Sequence, residues 1–596
     1  MNTVSDPISV TVWALGEGVE LPLGTYLIES LQHVEISLRE RLTGFEETFA
    51  SGSLRLSLLG DADTLQSWAV VMEPDGHTFE LPLVSPEEVT HQGAIAFWDT
   101  TIPALPGAGG VAFYLLNTSD RPVGLQLTTA EKNRSATSSF LVAPGNRVRV
   151  EDVDRVPLGP RGWLEVRHDG EPGDVVGVGV VGRSRHSLAL PLVPLGEAAT
   201  QERHEAIPDS WGESERPRGG PGGDTWITLF NPGDERRPVR VEAFDAETGA
   251  NLGQAQVDAG PKEPTSFSLR RIIPAVEATS HPVRLRVRSE GGGVLVHGFT
   301  AQPDGALADL AFFPYGVHPN GTYPLPDPSR YDTVTTVVNV GYESSRIAVQ
   351  VYWNGGTYSI GPLEIPPGGS RRFDLNALAG TSPPDLLGRE LDRERPGGVL
   401  KWTLLQGSDR LIGRTEARPR GHEDRFGFSC YGCCWKYPRA VVIPSFVEFT
   451  PGAEKPFEVA ETIDDCSGTM GPFPVEPISL SSPFPFVWNG STITSSTAAD
   501  SALSFEMQDT EIKPTCSSFL KRFLGFGRAE MCKATFNPRK YTTTQTCSQQ
   551  TASCFECRAC CRNISQMQVC QGKDPVVAQR DTDICLGICL NDHVCN

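Results

Sequence analysis

At 596 residues the chain is too long for one hydrophobic core. Its 60 glycines and 48 prolines favour many short strands joined by turns over long helices. A formal net charge of −21 repels phosphate backbones and disfavours nucleic acid as a partner. No run approaches the roughly 20 apolar residues of a membrane-spanning helix. The predicted fold class is mainly β: tandem antiparallel β-sandwich domains, then a small Cys-rich, disulfide-stapled, partly helical C-terminal module.

Residues 1–108 are predicted to be an N-terminal β-rich domain. The first 20 residues lack a basic stretch, and the apolar run 8–15 is short and followed by acid, so a secretory signal is not expected there. Leu27, Leu31, Val34 and Leu38 recur at helical spacing and predict an amphipathic helix over 26–42. Residues 53–59 and 69–72 read as strands.

From residue 109 the sequence predicts three copies of one β-sandwich pattern, at 109–197, 223–303 and 331–420. A linker at 198–222 and a connector at 304–330 separate them. Each copy opens with a strand ending on an asparagine: Asn117, Asn231 and Asn339. These lie 114 and 108 residues apart (117 to 231, 231 to 339), the size of one small sandwich plus a connector. A polar turn follows, then an alternating strand. Val239, Val241 and Ala243 share one face in the second copy, and Ile347, Val349, Val351 and Trp353 do so in the third. Next come proline-glycine corners at Pro144-Gly145, Gly260-Pro261 and Pro367-Gly368, where fixed φ beside permissive φ favours a reversal. Each copy is expected to close on a hairpin, at 163–181, 283–299 and 399–414. The glycine run 219–223 reads as a flexible linker, whereas Phe312, Phe313 and Tyr315 mark the second connector as packed against a neighbour.

The search for chemistry along these copies predicts no catalytic constellation, no cofactor and no metal site. Gly177, Gly179 and Gly182 have the spacing of a dinucleotide fingerprint, but no helix follows to meet a pyrophosphate, so a glycine-bearing strand is predicted. His204-Glu205 fails as a zinc-protease start because Pro208 stands where the second histidine is needed. The acid pairs Asp61/Asp63 and Asp152/Asp154 do not continue into a calcium loop. His297 is expected to be structural and His168 a surface group. Trp353, Trp402 and Trp435 are candidates for sugar contact, although alternating strand aromatics usually belong to the core.

In 421–512, the residues Phe446-Val-Glu-Phe-Thr-Pro-Gly-Ala453, the strand at 457–461, Gly468 after a polar turn and Phe486-Val-Trp488 running on to Ser495 carry a resemblance. They resemble bacterial immunoglobulin-like domains, as found in multi-domain secreted or surface proteins with sandwich repeats. The resemblance is to a loose pattern over this one segment and transfers no functional residue. It implies a stalk or adhesion role. Cys466, Trp488 and Cys516 follow the order of an immunoglobulin core.

The tail, 513–596, concentrates the cysteines; all 15 in the chain lie between 430 and 595. The disulfide candidates are Cys430, Cys433, Cys434, Cys466, Cys516, Cys532, Cys547, Cys554, Cys557, Cys560, Cys561, Cys570, Cys585, Cys589 and Cys595. Windows 553–571 and 582–594 are helix-compatible, and Cys585 and Cys589 share a face by i, i+4 spacing. Zinc is the rival reading, through the two-residue spacings Cys554–Cys557 and Cys557–Cys560. A second pair at the usual separation is missing, and His593 is the one histidine nearby. Sulfur staples suit segments too small to build a core, and they form outside the cytoplasm. A basic patch, Lys521, Arg522, Arg528, Lys533, Arg539 and Lys540, contrasts with the acidic whole.

These readings predict a non-catalytic extracellular or cell-envelope structural or assembly protein. Its expected partners are other protein subunits or copies of itself, with a surface glycan as a further candidate. The alternatives are a glycan- or surface-binding adhesin, a hydrolase with accessory sandwiches, and an intracellular zinc-binding protein.

Overall fold

In the computed structural model the described residues are 1–543 apart from 3–6, 17–18, 46–52, 59–64, 66, 68, 73–77, 82–91, 106–109, 132–133, 151–157, 183–186, 191, 195–202, 208–223, 278, 280, 302–306, 311, 315–319, 393, 396, 409, 421–425, 429–435, 444–454, 457, 466–467, 475–478, 482–485, 489–491, 496–502 and 515–531. They are mainly β, with only short helices. The chain divides into two compact units. The first comprises Met1–Arg439, Thr462–Phe473 and Asp509–Asn537; the second comprises Ala440–Glu461, Pro474–Gln508 and Pro538–Asn596.

Three successive segments of the first unit, here called modules, share one topology. In the first module a small sheet has the order Arg147–Val150, Val111–Asn117, Val175–Val181, Leu188–Leu190. The larger sheet has the order Val193–Pro194, Gly93–Asp99, Arg161–His168, Val123–Glu131, Arg134–Val142. The second module repeats this with Thr265–Ser268, Asp224–Phe230, Leu295–Ala301, Leu307–Asp309 against Asn251–Ala259, Arg237–Asp245, Val283–Ser289, Arg203–Ala206, Phe312–Pro314. The third has Ser370–Asp374, Tyr331–Asn339, Leu411–Pro419, Phe426–Phe428 against Asn320–Leu325, Gly398–Gly407, Ser345–Trp353, Gly356–Ile365. The strand pairings within these sheets are antiparallel. Each module encloses one core between its two sheets, a sandwich-like arrangement. In the third, Val337 and Phe373 of one sheet meet Val349, Leu400 and Trp402 of the other.

The closing hairpins are not hairpins. Arg161–His168 belongs to one sheet and Val175–Val181 to the other, and the same crossing joins Val283–Ser289 to Leu295–Ala301 and Gly398–Gly407 to Leu411–Pro419. Both strands of each pair carry apolar residues that face the same core, and the connection reaches that core from opposite sides. The local hairpin is instead Val123–Glu131 with Arg134–Val142, and its two counterparts. The segments read as connectors contribute strands: Arg203–Ala206 pairs with Val283–Ser289, and Asn320–Leu325 pairs with Gly398–Gly407. The glycine run 219–223 lies outside the described residues. Of the glycines spaced like a dinucleotide fingerprint, Gly177 and Gly179 fall in the strand Val175–Val181 and Gly182 directly follows it. There a Cβ on Gly179 would lie 2.5 Å from the Phe113 ring, so close sheet packing accounts for the residue.

The three asparagines that mark the sequence repeat act as one staple. Asn339 is fully buried. Its Nδ2 donates to the carbonyls of Glu343 (2.6 Å) and Ile365 (3.1 Å), and its Oδ1 accepts from the Gly341 amide (2.9 Å). Asn231 does the same with Glu235, Ala259 and Gly233, and Asn117 with Arg121, Val142 and Ser119. One side chain thus closes the turn between the sheets and ties it to the end of the third strand.

This staple also explains the N-terminal segment. Asn2 is fully buried and donates to the Ile28 carbonyl at 3.0 Å, as Asn339 does to Ile365. Ile8–Gly16 starts six residues after Asn2, as Ser345–Trp353 starts six after Asn339. The sheet Val19–Ile28, Ile8–Gly16, Ser53–Leu58 and the pair Ala69–Met72 with Thr78–Leu81 follow the module order. These described strands therefore form a fourth, N-terminal module. The amphipathic helix over 26–42 does not form: Val19–Ile28 is a strand along Ile8–Gly16, and helix is confined to Leu38–Arg41. Of the expected helix face, Leu27 is 64% exposed, whereas Leu31 is buried at a positive φ of 53°. Pairing with the neighbouring strand satisfies the backbone of the first half, which a short helix would have to satisfy locally.

In the third module the outer face of the sheet containing Ser345–Trp353 and Gly398–Gly407 is also covered. Met470 and Phe473 pack on Ala348 and Leu405, and the Gly471 amide donates to Gln350 Oε1 at 2.8 Å. In the second unit, Lys455–Pro456, Thr492–Ser495 and Phe486–Trp488 form a three-stranded antiparallel sheet.

Candidate functional site

The strand that edges the first-described sheet of each module meets its counterparts from the others. Thr78–Leu81 lies beside Leu188–Leu190, which lies beside Leu307–Asp309, then Phe426–Phe428, which returns to Thr78–Leu81. Four inner strands thus close a cycle, with Leu307 and Phe299 of the second module completing the core of the first.

A polar cluster occupies this inner region. Arg414 and Glu416 sit on Leu411–Pro419 and are 3% and 2% exposed. Arg414 Nε donates to Glu416 Oε1 at 3.0 Å, and its Nη2 donates to the Asp309 carbonyl of the second module at 2.6 Å. His297 Nε2 stands 3.4 Å from Asp309 Oδ1 at ion-pair rather than hydrogen-bond geometry. Arg414 and His297 occupy equivalent positions, each two residues beyond the strand partner of the residue preceding the staple asparagine (Val338 with Ile412, Phe230 with Leu295). Burying charge without a partner is costly, so opposing the buried guanidinium with a carboxylate and a carbonyl makes this cluster a tie between modules.

The modules also join side by side, in the same way each time. In the first junction Ile95, Phe97 and Trp163 of the first module cover Phe230 and Leu295 of the second. Phe97 and Phe230 stack with centroids 5.3 Å apart. In the second, Ile207 meets Val338, Val340 and Ile412. In the third, Val399 and Tyr352 meet Met1 and Leu31. Phe230, Val338 and Met1 each precede a staple asparagine, so one position serves all three junctions. Ion pairs edge them: Arg161 to Glu263 at 3.9 Å in the first, and Arg330 to Glu35 at 3.5 Å in the third. His33, whose Nε2 lies 3.6 Å from Glu35 Oε1, together with Arg330 holds the Glu35 carboxyl below the usual range, against the opposing effect of its burial.

A second titratable group lies on the second module. Asp245 Oδ2 is 2.8 Å from His281 Nδ1 and accepts from Thr279 Oγ1 at 3.1 Å, while Glu247 Oε2 is 3.2 Å from His281 Nε2. Burial opposes ionisation of Asp245, but the hydrogen bonds from Thr248, His281 and Thr279 outweigh it and hold its pKa down. The bond to Asp245 raises His281. Both imidazole nitrogens face carboxylates. This arrangement favours the protonated ring.

Trp402 is fully buried, and its Nε1 donates to Tyr323 Oη at 3.2 Å; Trp353 is half-buried against the same core. His168 is half-buried rather than on the surface, and burial lowers its pKa. Cys532 opens the strand Cys532–Thr543, which also carries Lys533, Arg539 and Lys540. The other fourteen cysteines, Trp435, the two acid pairs and the remainder of the basic patch lie outside the described residues. Among the described residues no three metal-ligating side chains converge, and no helix is long and apolar enough to cross a membrane. The staple position was legible as a repeated asparagine; the inner cluster was missed because its members come from different modules with no shared spacing. No protein-family model matches the chain, and no curated protein matches it.

Proposed function

We propose that the chain is a non-catalytic structural or assembly protein of the extracellular space or cell envelope, built from immunoglobulin-like sandwich modules and ending in a disulfide-stapled tail. The observation that carries this reading is the use of one residue position, just before a staple asparagine, at three junctions between modules. Apolar and ionic contacts are directed at holding modules to each other, which is what a spacer or scaffold requires. The confinement of all 15 cysteines to residues 430–595 supports an oxidising compartment. Peptide mass spectrometry of the natively produced chain, with and without reduction, tests it. Disulfide-linked peptides from the tail are expected; fully reduced thiols with stoichiometric zinc would overturn both compartment and tail architecture.

A glycan-binding adhesin is the second reading, supported by the partial exposure of Trp353 beside a hairpin tip. A glycan array probed with the full chain separates the two: saturable hits lost in Trp353→Ala favour the adhesin.

A further inference from the structure

We infer that the cycle of four modules opens at one seam, where the N-terminal module meets the first module. This goes beyond the scaffold reading and does not depend on it. The three described junctions provide the template. The residue before each staple asparagine, with its cross-strand partner where described, is covered by the preceding module. Phe230 and Leu295 are 0% and 5% exposed, Val338 and Ile412 are 0% and 1%, and Met1 is 5%. The first module has the same pair, Leu116 and its partner Val176, and both are only half-buried.

The covering side shows the matching deficit. Thirteen residues after each staple asparagine stand Ala130, Phe244, Tyr352 and Leu15, whose strand partners are Trp163, Arg284, Val399 and Ser53. Trp163 and Val399 insert into the next module; Arg284 lies over Phe244 at 4.1 Å. The N-terminal module offers a serine at that position, and both Ser53 and Leu15 are half-buried. Apolar area removed from water drives such junctions, so the junction whose described residues bury least on both sides is the one that separates first. The inner strand Thr78–Leu81 nevertheless lies beside Leu188–Leu190, so the seam is poised to close.

Hydroxyl-radical footprinting of the full chain, read by mass spectrometry, tests this. Leu116 and Val176 should be oxidised about tenfold faster than Val338 and Ile412, which sit at the equivalent covered positions. Ser53→Trp, copying Trp163, should slow oxidation of Leu116 severalfold and leave Val338 unchanged. Ser53→Val, copying Val399, should do the same to a smaller degree and is the second arm if the larger side chain does not fit. Protection of Leu116 and Val176 equal to that of Val338 and Ile412 in the unaltered chain overturns the inference. So does a folded filling variant, judged by unchanged Phe230 and Val338 protection, in which Leu116 oxidation is unaffected.

Discussion

Asn339→Ala should destabilise the third module more than any change of similar size on its surface. The side chain makes three hydrogen bonds in a fully buried position: two from Nδ2 to the Glu343 and Ile365 carbonyls, one into Oδ1 from the Gly341 amide. Truncation leaves three backbone groups without that partner, and each buried unmet group costs about 1–3 kcal/mol. The turn carbonyl of Glu343 lies near solvent and can recover water, which brings the expected total to about 3–5 kcal/mol. Hydrogen exchange on the full chain should report this as at least a hundredfold faster exchange across Gly356–Ile365 and Tyr331–Asn339, at about 1.4 kcal/mol per tenfold. Asn339→Asp is the sharper arm. It keeps an acceptor for Gly341 but turns an oxygen toward two carbonyls, so it should be at least as damaging at pH 7. Burial raises the folded-state pKa of the introduced carboxyl above its unfolded value, so stability should recover as pH falls and be lost as pH rises through that pKa. Asn354→Ala at the exposed hairpin tip is the control, expected within about 0.5 kcal/mol of the parent. An effect of Asn339→Ala on exchange below tenfold would refute the staple as an energetic element.

Phe230→Ala should cost about 3–5 kcal/mol and raise exchange in both Asp224–Phe230 and Gly93–Asp99, because the ring fills the first junction against Phe97 and Trp163. Loss of protection in the second module alone would show that the junction is not cohesive. Gly249 has φ +75° and a Cβ there would lie 2.7 Å from the Pro367 carbonyl of the third module, so Gly249→Ala should lower the melting temperature through both strain and the clash. The Asp245–His281 pair should stabilise only in a pH window. His281 has a raised folded pKa, so its share is full below about 6.5 and disappears as pH rises through the folded value. Asp245 has a lowered one, so its share is present above about 3.8 and disappears as pH falls through the folded value. His281→Gln should flatten the melting temperature between these limits, and an unchanged pH profile would discount the pair.

The strand content, the three asparagine landmarks and the alternating strands could be read locally, because a side-chain period of two and a turn after a polar residue are short-range properties. Asn117, Asn231 and Asn339 stood out in the sequence for the same reason that they matter in the fold: each must end a strand and close the turn that follows. The N-terminal copy is harder to read from the sequence because the helical spacing of Leu27, Leu31, Val34 and Leu38 competes with the strand period. What local pattern could not settle was which sheet each strand would join. In each of the three copies the two strands expected to form a closing hairpin cross between sheets instead, a choice made by the shared core and not by the intervening turn. The burial of Arg414 and Glu416 and the equivalence of Phe230, Val338 and Met1 arise only when modules meet. Periodicity along a chain records which face of a strand avoids water, but the partner that covers that face is a property of the assembled molecule.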